Sequence, residues 1–225
     1  KTWRHTLKLR AAVGHIAVDP FDASVAYAAV LGSPFKAGAE RGVGRTRDTG
    51  ATWQQVLKVD ADTGASDISI DSNNPRILWA GTWQARRAPW GLHSGGPGSG
   101  LWRSADGGDS WTRLPAGEKG LPTGDWGKVG VAVSPADSER IYALIEADDG
   151  GLFRSDDGGE SFKRINEHWV LRQRAWYYTT VEPDPLDADS VWFPQVPMLH
   201  SADGGKTLTQ VDGFAHGDHH DLWID

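Results

Sequence analysis

The 225-residue chain has 30 acidic and 23 basic side chains, so its net charge of −7 provides no broad basic field for a nucleic-acid backbone. The absence of cysteine excludes disulfides, thiol nucleophiles and thiolate metal sites. No window reaches the roughly 18 uninterrupted apolar residues of a membrane-spanning helix. We therefore expect a globular chain with no nucleic-acid partner and no membrane span.

The first recurring pattern along the chain is a strand, a turn and a second strand. It occupies residues 15–30, 68–82, 129–145 and 179–193, with apolar runs on both sides of a Pro/Asp/Asn cluster. Each copy is followed by another short strand, an Asp-Gly turn and a fourth strand. One repeat is therefore predicted to be four short antiparallel strands, and no stretch shows sustained helical periodicity.

The Asp-Gly turns themselves form a second repeated motif, Ser/Thr-x-Asp-x-Gly-x-Ser/Thr followed by a large apolar residue. Counting from Trp3, that last position recurs after 50, 58, 51 and 46 residues, which is typical of a repeat architecture. Its defining residues are Asp48, Gly50, Trp53, Asp106, Gly108, Trp111, Asp157, Gly159, Phe162, Asp203 and Gly205. A catalytic centre is not usually repeated four times in one chain, so we interpret the motif as scaffold. The Asp accepts turn amides, and the Gly supplies a positive φ.

Four strands in about 50 residues predict an all-β fold, a β-propeller built of four-stranded antiparallel blades. The expected blades are residues 4–56, 57–114, 115–165 and 166–211, and 212–225 is expected to open a further blade. Because Lys1-Thr2-Trp3 matches the end of the fourth motif, we expect residues 1–225 to form a single segment of a larger propeller. The remaining blades of the parent chain would be its partners. A closed ring of four blades is the less favoured alternative.

The motif resembles the Asp-box, or BNR repeat, with Phe162 and Leu208 standing where the family has Trp. The resemblance extends to sialidases, xyloglucan-cleaving hydrolases, the sortilin ectodomain and bacterial repeat proteins labelled glycosyl hydrolases. The stretches GGPGSGLWRSADGGDSW, ALIEADDGGLFRSDDGG and HGDHHDLWID are most similar to that bacterial group. The resemblance implies a propeller, and it implies a periplasmic or extracellular location because the related bacterial proteins are mostly exported.

Propeller strands alternate in direction, so the Asp-Gly turns and the loops that carry function lie on opposite faces. The front-face segments are predicted to be 31–42, 57–66, 83–100, 115–128, 166–177, 194–198 and 212–221. One long loop offers Trp83, Arg86, Arg87, Trp90 and His93, which suit a carboxylate, a sugar face or a peptide. The alternative is that these side chains pack the loop onto a neighbouring blade. Trp126 is a further candidate from the same face.

Two more groups of candidates follow along the chain. Trp169, Arg172, Arg174 and Trp176 lead into a first strand, where ligand contact and inter-blade packing are equally open. The last group could bind a metal or supply acid/base groups; it contains His216, Asp218, His219, His220 and Asp221. In a strand, His219 and Asp221 would share one side and His220 would face away. No other residues complete a recognisable metal motif, so we expect no cofactor, and a hydrogen-bonded cluster is the favoured interpretation.

These patterns favour a sortilin-like binding module for a peptide, protein or glycan, built on rigid strands with aromatic and Arg-rich loops. The alternative is a glycoside hydrolase, which needs two carboxylates about 5–5.5 Å or 6.5–9.5 Å apart. Asp218, Asp125 and Glu146 are weak catalytic candidates, and the sequence alone does not pair them. A sialidase is disfavoured because no Phe-Arg-Ile-Pro-like segment occurs. A third possibility is a structural subunit of a larger assembly.

Overall fold

A computed structural model describes residues 2, 5–7, 11–213 and 216–224, so Trp3 lies outside the described residues. Four antiparallel sheets follow one another along the chain. The first sheet contains β1 (Ala12–Val18), β2 (Ala26–Gly32), β3 (Gly42–Thr46) and β4 (Gln54–Leu57). The second contains β5 (Thr63–Ile70), β6 (Leu78–Ala88), β7 (Gly91–Ser94), β8 (Gly100–Ser104) and β9 (Thr112–Leu114). The third contains β10 (Val129–Ser134), β11 (Asp137–Ile145), β12 (Gly151–Asp156) and β13 (Lys163–Asn166). The fourth contains β14 (Glu182–Pro183), β15 (Val191–Phe193), β16 (Leu199–Ser201) and β17 (Thr209–Gln210).

The sheets are the four blades of a β-propeller, which confirms the predicted all-β fold class. Within each blade, neighbouring strands in the sequence pair with each other, and β7 is an additional strand on the free end of β6. The helical structure of the described residues is a single 3₁₀ turn, Trp169–Leu171. That the chain is one segment of a larger propeller stays a prediction.

The hydrophobic core is divided into layers that lie between successive blades. One layer packs Tyr27 and Ile68 between the first two blades, and a second packs Trp79 against Phe153 and its neighbours between the second and third. A third layer joins the last two blades around Phe193. Because both faces of the third sheet are covered, every residue of β10 is buried and the strand reads as a continuous apolar run.

The four Asp-Gly turns, which we call the Asp turns, share one hydrogen-bond pattern. In the turn at 155–161, the Ser155 hydroxyl donates to Asp157 Oδ1 at 2.7 Å and accepts the Gly159 N–H at 2.8 Å. The Asp157 carboxylate also accepts the Ser161 N–H at 2.9 Å and the Ser161 hydroxyl at 2.5 Å. The same four bonds recur in the turns that begin at Thr46, Ser104 and Ser201. These carboxylates are fully engaged in holding the turns, as expected for scaffold.

Each of the last three Asp turns also packs against the blade before it. A Cβ added at Gly159 would lie 2.3 Å from the buried indole of Trp79, and one at Gly205 would lie 2.3 Å from the Leu152 side chain. Phe162 meets Trp79 edge-on, with 6.0 Å between ring centroids. The Tyr27 hydroxyl reaches across to the Gly107 carbonyl at 2.8 Å. The turns therefore join neighbouring blades as well as closing their own hairpins.

Two expectations differ from the structure. Residues 83–100 are not one long loop, because β6 continues to Ala88 and pairs with β7 in a hairpin. Residues 212–213 and 216–224 contain no strand, so the predicted opening strand of a further blade is not formed there. Instead the backbone N–H groups of Asp218 and His219 donate to the carbonyls of Val196 and Gln195 at 3.0 Å, which binds this segment to the β15–β16 loop.

Candidate functional site

The loops predicted to share the front face contact one another across blades. Gly96 and Trp126 form a backbone bridge between the second blade and the loop that leads to the third. The Arg172 guanidinium donates to the Ala147 carbonyl at 2.8 Å, and the Thr123 hydroxyl donates to Asp149 at 3.0 Å. The Asp turns donate backbone hydrogen bonds to Ser24, Arg76, Glu139 and Asp189, which lie in or beside the β1–β2, β5–β6, β10–β11 and β14–β15 turns at the opposite ends of the strands. The contacting loops therefore lie at the ends of the strands away from the Asp turns.

The first group of candidates is divided by the β6–β7 hairpin. Trp83 is 1% exposed, with its Nε1 donating to Ser94 Oγ at 2.9 Å, and Trp126 is 2% exposed and donates to the Pro122 carbonyl. Trp126 belongs to the inter-blade core and does not face solvent. Trp90 is 89% exposed at the hairpin tip, beside the exposed Arg87 and His93.

Arg86 forms an ion pair with Asp62, so its guanidinium is already engaged. In the second group, Trp169 is 64% exposed and stacks on His168, while Arg172 holds the Ala147 carbonyl. Arg174 is exposed and has a positive φ of 52°. Of these candidates, Trp90 and Trp169 are the two large aromatic faces that the structure leaves open.

Trp176 is half-buried and meets Trp83 edge-on, with ring centroids 4.7 Å apart. This pair forms part of the wall of a cavity of about 660 Å³ that opens between the first strands of the blades. We call it the inner cavity. Its polar wall includes residues from every blade: His15 in β1, Asp67 in β5, Lys128 just before β10, and Thr179 and Glu182 at β14. Its mouth is bordered by Tyr177, His220, Asp221 and Trp223.

The polar wall of the inner cavity was not predicted from the sequence. The sequence does contain a sign of it, since each of these titratable side chains lies in or beside the first strand of a blade, where apolar residues dominate. His15 Nδ1 lies 2.7 Å from Asp67 Oδ1. The Asp67 carboxylate also accepts the N–H groups of Ile68 at 2.9 Å and Val131 at 2.8 Å. Asp67 therefore has a partner for each carboxylate oxygen and is held in place.

The cavity shifts the pKa values of three side chains. The hydrogen bond to Asp67 raises the pKa of His15 to about 9, so the imidazole is charged at neutral pH. Burial raises the pKa of Glu182 to about 8, and burial lowers the pKa of Lys128 to about 8. At pH 7 the wall thus carries an ion pair, a neutral carboxyl group and an ammonium group.

The last group of candidates lies beside the cavity mouth without forming a metal centre. The Tyr178 hydroxyl donates to Asp218 and holds the pKa of that carboxyl below its usual value, while His220 Nε2 lies 3.2 Å from Asp218 Oδ1. His216 stacks on His219, and His220 stacks on Tyr178. The described residues contain no group of three side chains arranged to hold a metal ion. His220 and Asp221 both border the cavity, so the alternation expected of a strand is wrong here.

The three candidate catalytic carboxylates occupy different environments. Glu146 Oε2 accepts the Ser94 hydroxyl at 2.6 Å and the Lys128 N–H at 2.7 Å, which is a structural role between blades. Asp125 is exposed and borders a small recess beside Trp126. Asp218 is held by Tyr178 and His220. None of the three lines the inner cavity.

Comparison with known proteins finds a sequence relative and solved structures that share the fold. A xyloglucanase from a Paenibacillus species is 33% identical over 126 residues, which are 56% of this chain and 12% of that protein. A GH74 enzyme from Niastella koreensis superimposes with a TM-score of 0.62 at 16% identity, over 90% of this chain and 30% of that one. The chain shares the β-propeller fold of GH74 enzymes. An ancestral GH74 enzyme gives a TM-score of 0.64 at 16% identity, over 96% of this chain and 28% of that one.

A protein of another name also shares the fold. YCF48 from Cyanidioschyzon merolae superimposes with a TM-score of 0.55 at 15% identity, over 94% of this chain and 60% of that chain. No family model matches the sequence. The chain spans 12% of the curated xyloglucanase and less than a third of the two GH74 structures. No helix in the described part of the chain is long and apolar enough to cross a membrane.

Proposed function

We propose that the chain is a segment of an exported Asp-box propeller protein, and that it binds a glycan through its front face. The repeated Asp turns support the assignment to Asp-box propellers, because they reproduce one hydrogen-bond pattern at blade spacing. The 33% identity with part of a xyloglucanase supports a polysaccharide as the ligand class. A peptide or protein ligand, which the sequence left open, remains the alternative within the same binding role.

The observation that carries this proposal is the exposure of three tryptophans, two of which, Trp90 and Trp169, lie in segments predicted to form the front face. Trp90, Trp169 and Trp223 are 89%, 64% and 80% exposed, although indole is a side chain that folding normally buries. A pyranose ring offers an apolar C–H face to a flat aromatic ring and hydroxyl groups to the polar atoms around it. Rigid, solvent-exposed aromatic side chains are typical anchors of binding surfaces.

The β6–β7 hairpin gives this surface a defined shape. Trp90 is at its tip, and the neighbouring Phe35, Arg87 and Leu92 line a recess of about 310 Å³. The Arg87 N–H donates to the Pro34 carbonyl at 2.8 Å and connects the hairpin to the first blade. The recess combines apolar surface with a guanidinium group, which suits a sugar chain laid across the hairpin.

The test is binding of the full-length protein to xyloglucan, other plant glucans and bacterial polysaccharides, measured by calorimetry. We expect one of them to bind, and we expect Trp90→Ala and Trp169→Ala each to weaken binding about tenfold. Phe21→Ala is the matched control, because Phe21 is 72% exposed but belongs to the β1–β2 turn on the Asp-turn side. Failure of every polysaccharide to bind the folded protein would refute the proposal.

A glycoside hydrolase is the second candidate, favoured by the xyloglucanase relative and by Glu182. With a pKa of about 8, Glu182 is a carboxyl group that stays protonated at neutral pH, as a general acid must. The test is release of reducing ends from the polysaccharide that binds. If Glu182→Gln abolishes this release while the polysaccharide still binds, hydrolysis takes place at the inner cavity. If no bound glycan is cleaved by the unaltered protein, the hydrolase candidate is refuted and the binding role is the one that stands.

A further inference from the structure

We propose that the inner cavity is a separate binding site for an acidic sugar, whose carboxylate is held by Lys128 and Thr179. This site is distinct from the front-face surface around Trp90 and Trp169, neither of which lines the inner cavity, and its evidence does not depend on them. The site combines an ammonium group that has no carboxylate partner among the described residues, a buried hydroxyl that has no hydrogen-bond partner among them, and a cavity large enough for a ligand. Pockets that hold small ligands commonly have volumes of about 300–1,000 Å³, and the inner cavity measures about 660 Å³.

The first anchor is the Lys128 ammonium group. It has three N–H donors, and it donates one hydrogen bond to the Tyr178 carbonyl at 2.5 Å. Among the described residues, Lys128 forms no salt bridge within 4.0 Å. The negative charges of Asp67 and Glu146 act on Lys128 from nearby, but the Glu146 carboxylate accepts the backbone N–H of Lys128 and the Ser94 hydroxyl. A partly buried ammonium group with free donors is a natural partner for a ligand anion.

The second anchor is Thr179, which is 3% exposed and whose Oγ1 has no hydrogen-bond partner in the part of the chain that the structure describes. A buried hydroxyl without a partner is uncommon because it loses the hydrogen bonds that water would provide. Thr179 also has a φ of 81°, which is rare and costly for a β-branched residue. Its carbonyl packs so closely on β10 that a Cβ at Gly130 would lie 2.1 Å away. The structure therefore holds Thr179 in a strained conformation at the cavity wall, as functional sites often do.

The other charged groups of the cavity are compatible with an anion. The negative charge of Asp67 is compensated by His15 and by two backbone N–H groups, and Glu182 is neutral at pH 7 and can donate its own proton. Asp221 is the remaining carboxylate that lines the cavity; it is exposed, and its charge acts on His15 and Glu182. The inner wall thus presents more hydrogen-bond donors than carboxylate oxygens that lack a donor.

The apolar part of the wall favours a sugar ring as the body of this ligand. Trp83 and Trp176 form one side, and the Lys128 Nζ lies 5.6 Å from the Trp83 ring centroid. A pyranose that carries a carboxylate can place its C–H face on the half-buried Trp176 while its carboxylate meets Lys128 and Thr179. Uronic acids are the simplest sugars with this combination of groups.

The experiment is calorimetric titration of the full-length protein at pH 7 with glucuronate, galacturonate, glucose and acetate. We expect a uronate to bind at least tenfold more tightly than either glucose or acetate. Affinity should fall at least tenfold between pH 7 and pH 9.5, because Lys128 and His15 lose their protons and Glu182 becomes charged. These comparisons use the unaltered protein, so they do not depend on a variant that folds.

Variants then identify the anchors. Lys128→Met should weaken uronate binding at least tenfold and Thr179→Val about threefold, while the exposed Lys163→Met is the matched control. Trp90→Ala should leave uronate binding unchanged, which separates this site from the front-face surface. Equal affinity for glucuronate and glucose would overturn the proposal, as would unchanged binding by a folded Lys128→Met protein. Equal affinity for acetate, or tighter binding of a peptide carboxylate, would overturn the assignment to a sugar.

Discussion

Replacing one glycine of the third Asp turn tests whether these turns join the blades. Gly159 and Gly158 are adjacent and both have positive φ, 89° and 67°. A left-handed conformation costs a non-glycine residue about 1–2 kcal/mol, so both alanine variants lose this amount. The nearest neighbour of a Cβ at Gly158 is the flexible end of Glu139, at 2.9 Å. Gly158→Ala should therefore lower the free energy of unfolding by about 1 kcal/mol.

Gly159→Ala meets a different obstacle. Its Cβ would lie 2.3 Å and 2.5 Å from two ring carbons of Trp79, which is fully buried in the core between the second and third blades. The ring has to move by about 1 Å to reach ordinary contact, and overpacking a close-packed core costs a further 1–3 kcal/mol. We expect a total loss of about 2–5 kcal/mol for Gly159→Ala, measured by urea unfolding followed through tryptophan fluorescence. Equal losses for the two variants would refute the conclusion that this turn packs into the preceding blade.

Three further predictions concern the carboxylates of the fold. Asp157→Ala should lower the melting temperature, because the three hydrogen bonds that the carboxylate accepts are lost, one of them from the buried Ser155 hydroxyl. Asp157→Asn should retain part of this stability, and equal melting temperatures for all three proteins would contradict the assigned role. The His15–Asp67 pair should stabilise the fold fully below pH 6.5. This stabilisation, which is about 1 kcal/mol after solvent screening, should be lost as the pH rises through about 9. The difference in free energy of unfolding between the unaltered protein and His15→Gln should therefore shrink over that range. Glu182 has a raised pKa, so the stability it contributes is present below pH 4.5 and is lost as the pH rises through about 8. Glu182→Gln should remove this decline. Identical profiles of stability against pH for the two proteins would show that the carboxyl is not buried as the structure has it.

The blades and their Asp turns could be predicted from the sequence because the interactions that form them are local. Each Asp turn is closed by bonds between residues two or four positions apart, and Gly at the positive-φ position is visible in every copy. Strand alternation and the 46–58-residue spacing then indicated four-stranded blades. Phe162 could replace Trp because the position needs a large apolar ring against Trp79, not an indole N–H.

The tertiary structure decided which side chains reach solvent and which meet across blades. Trp83, Trp90 and Trp126 all read as front-face aromatics, but only Trp90 is exposed, because packing by neighbouring blades covers the other two. The inner cavity joins His15 to Asp67 across 52 positions of sequence, and it adds Lys128 and Glu182 from two further blades. The motif's period places the blades in order but carries no information on which first-strand residues share a cavity. Their pKa values follow from that burial and proximity, which exist only in the folded propeller.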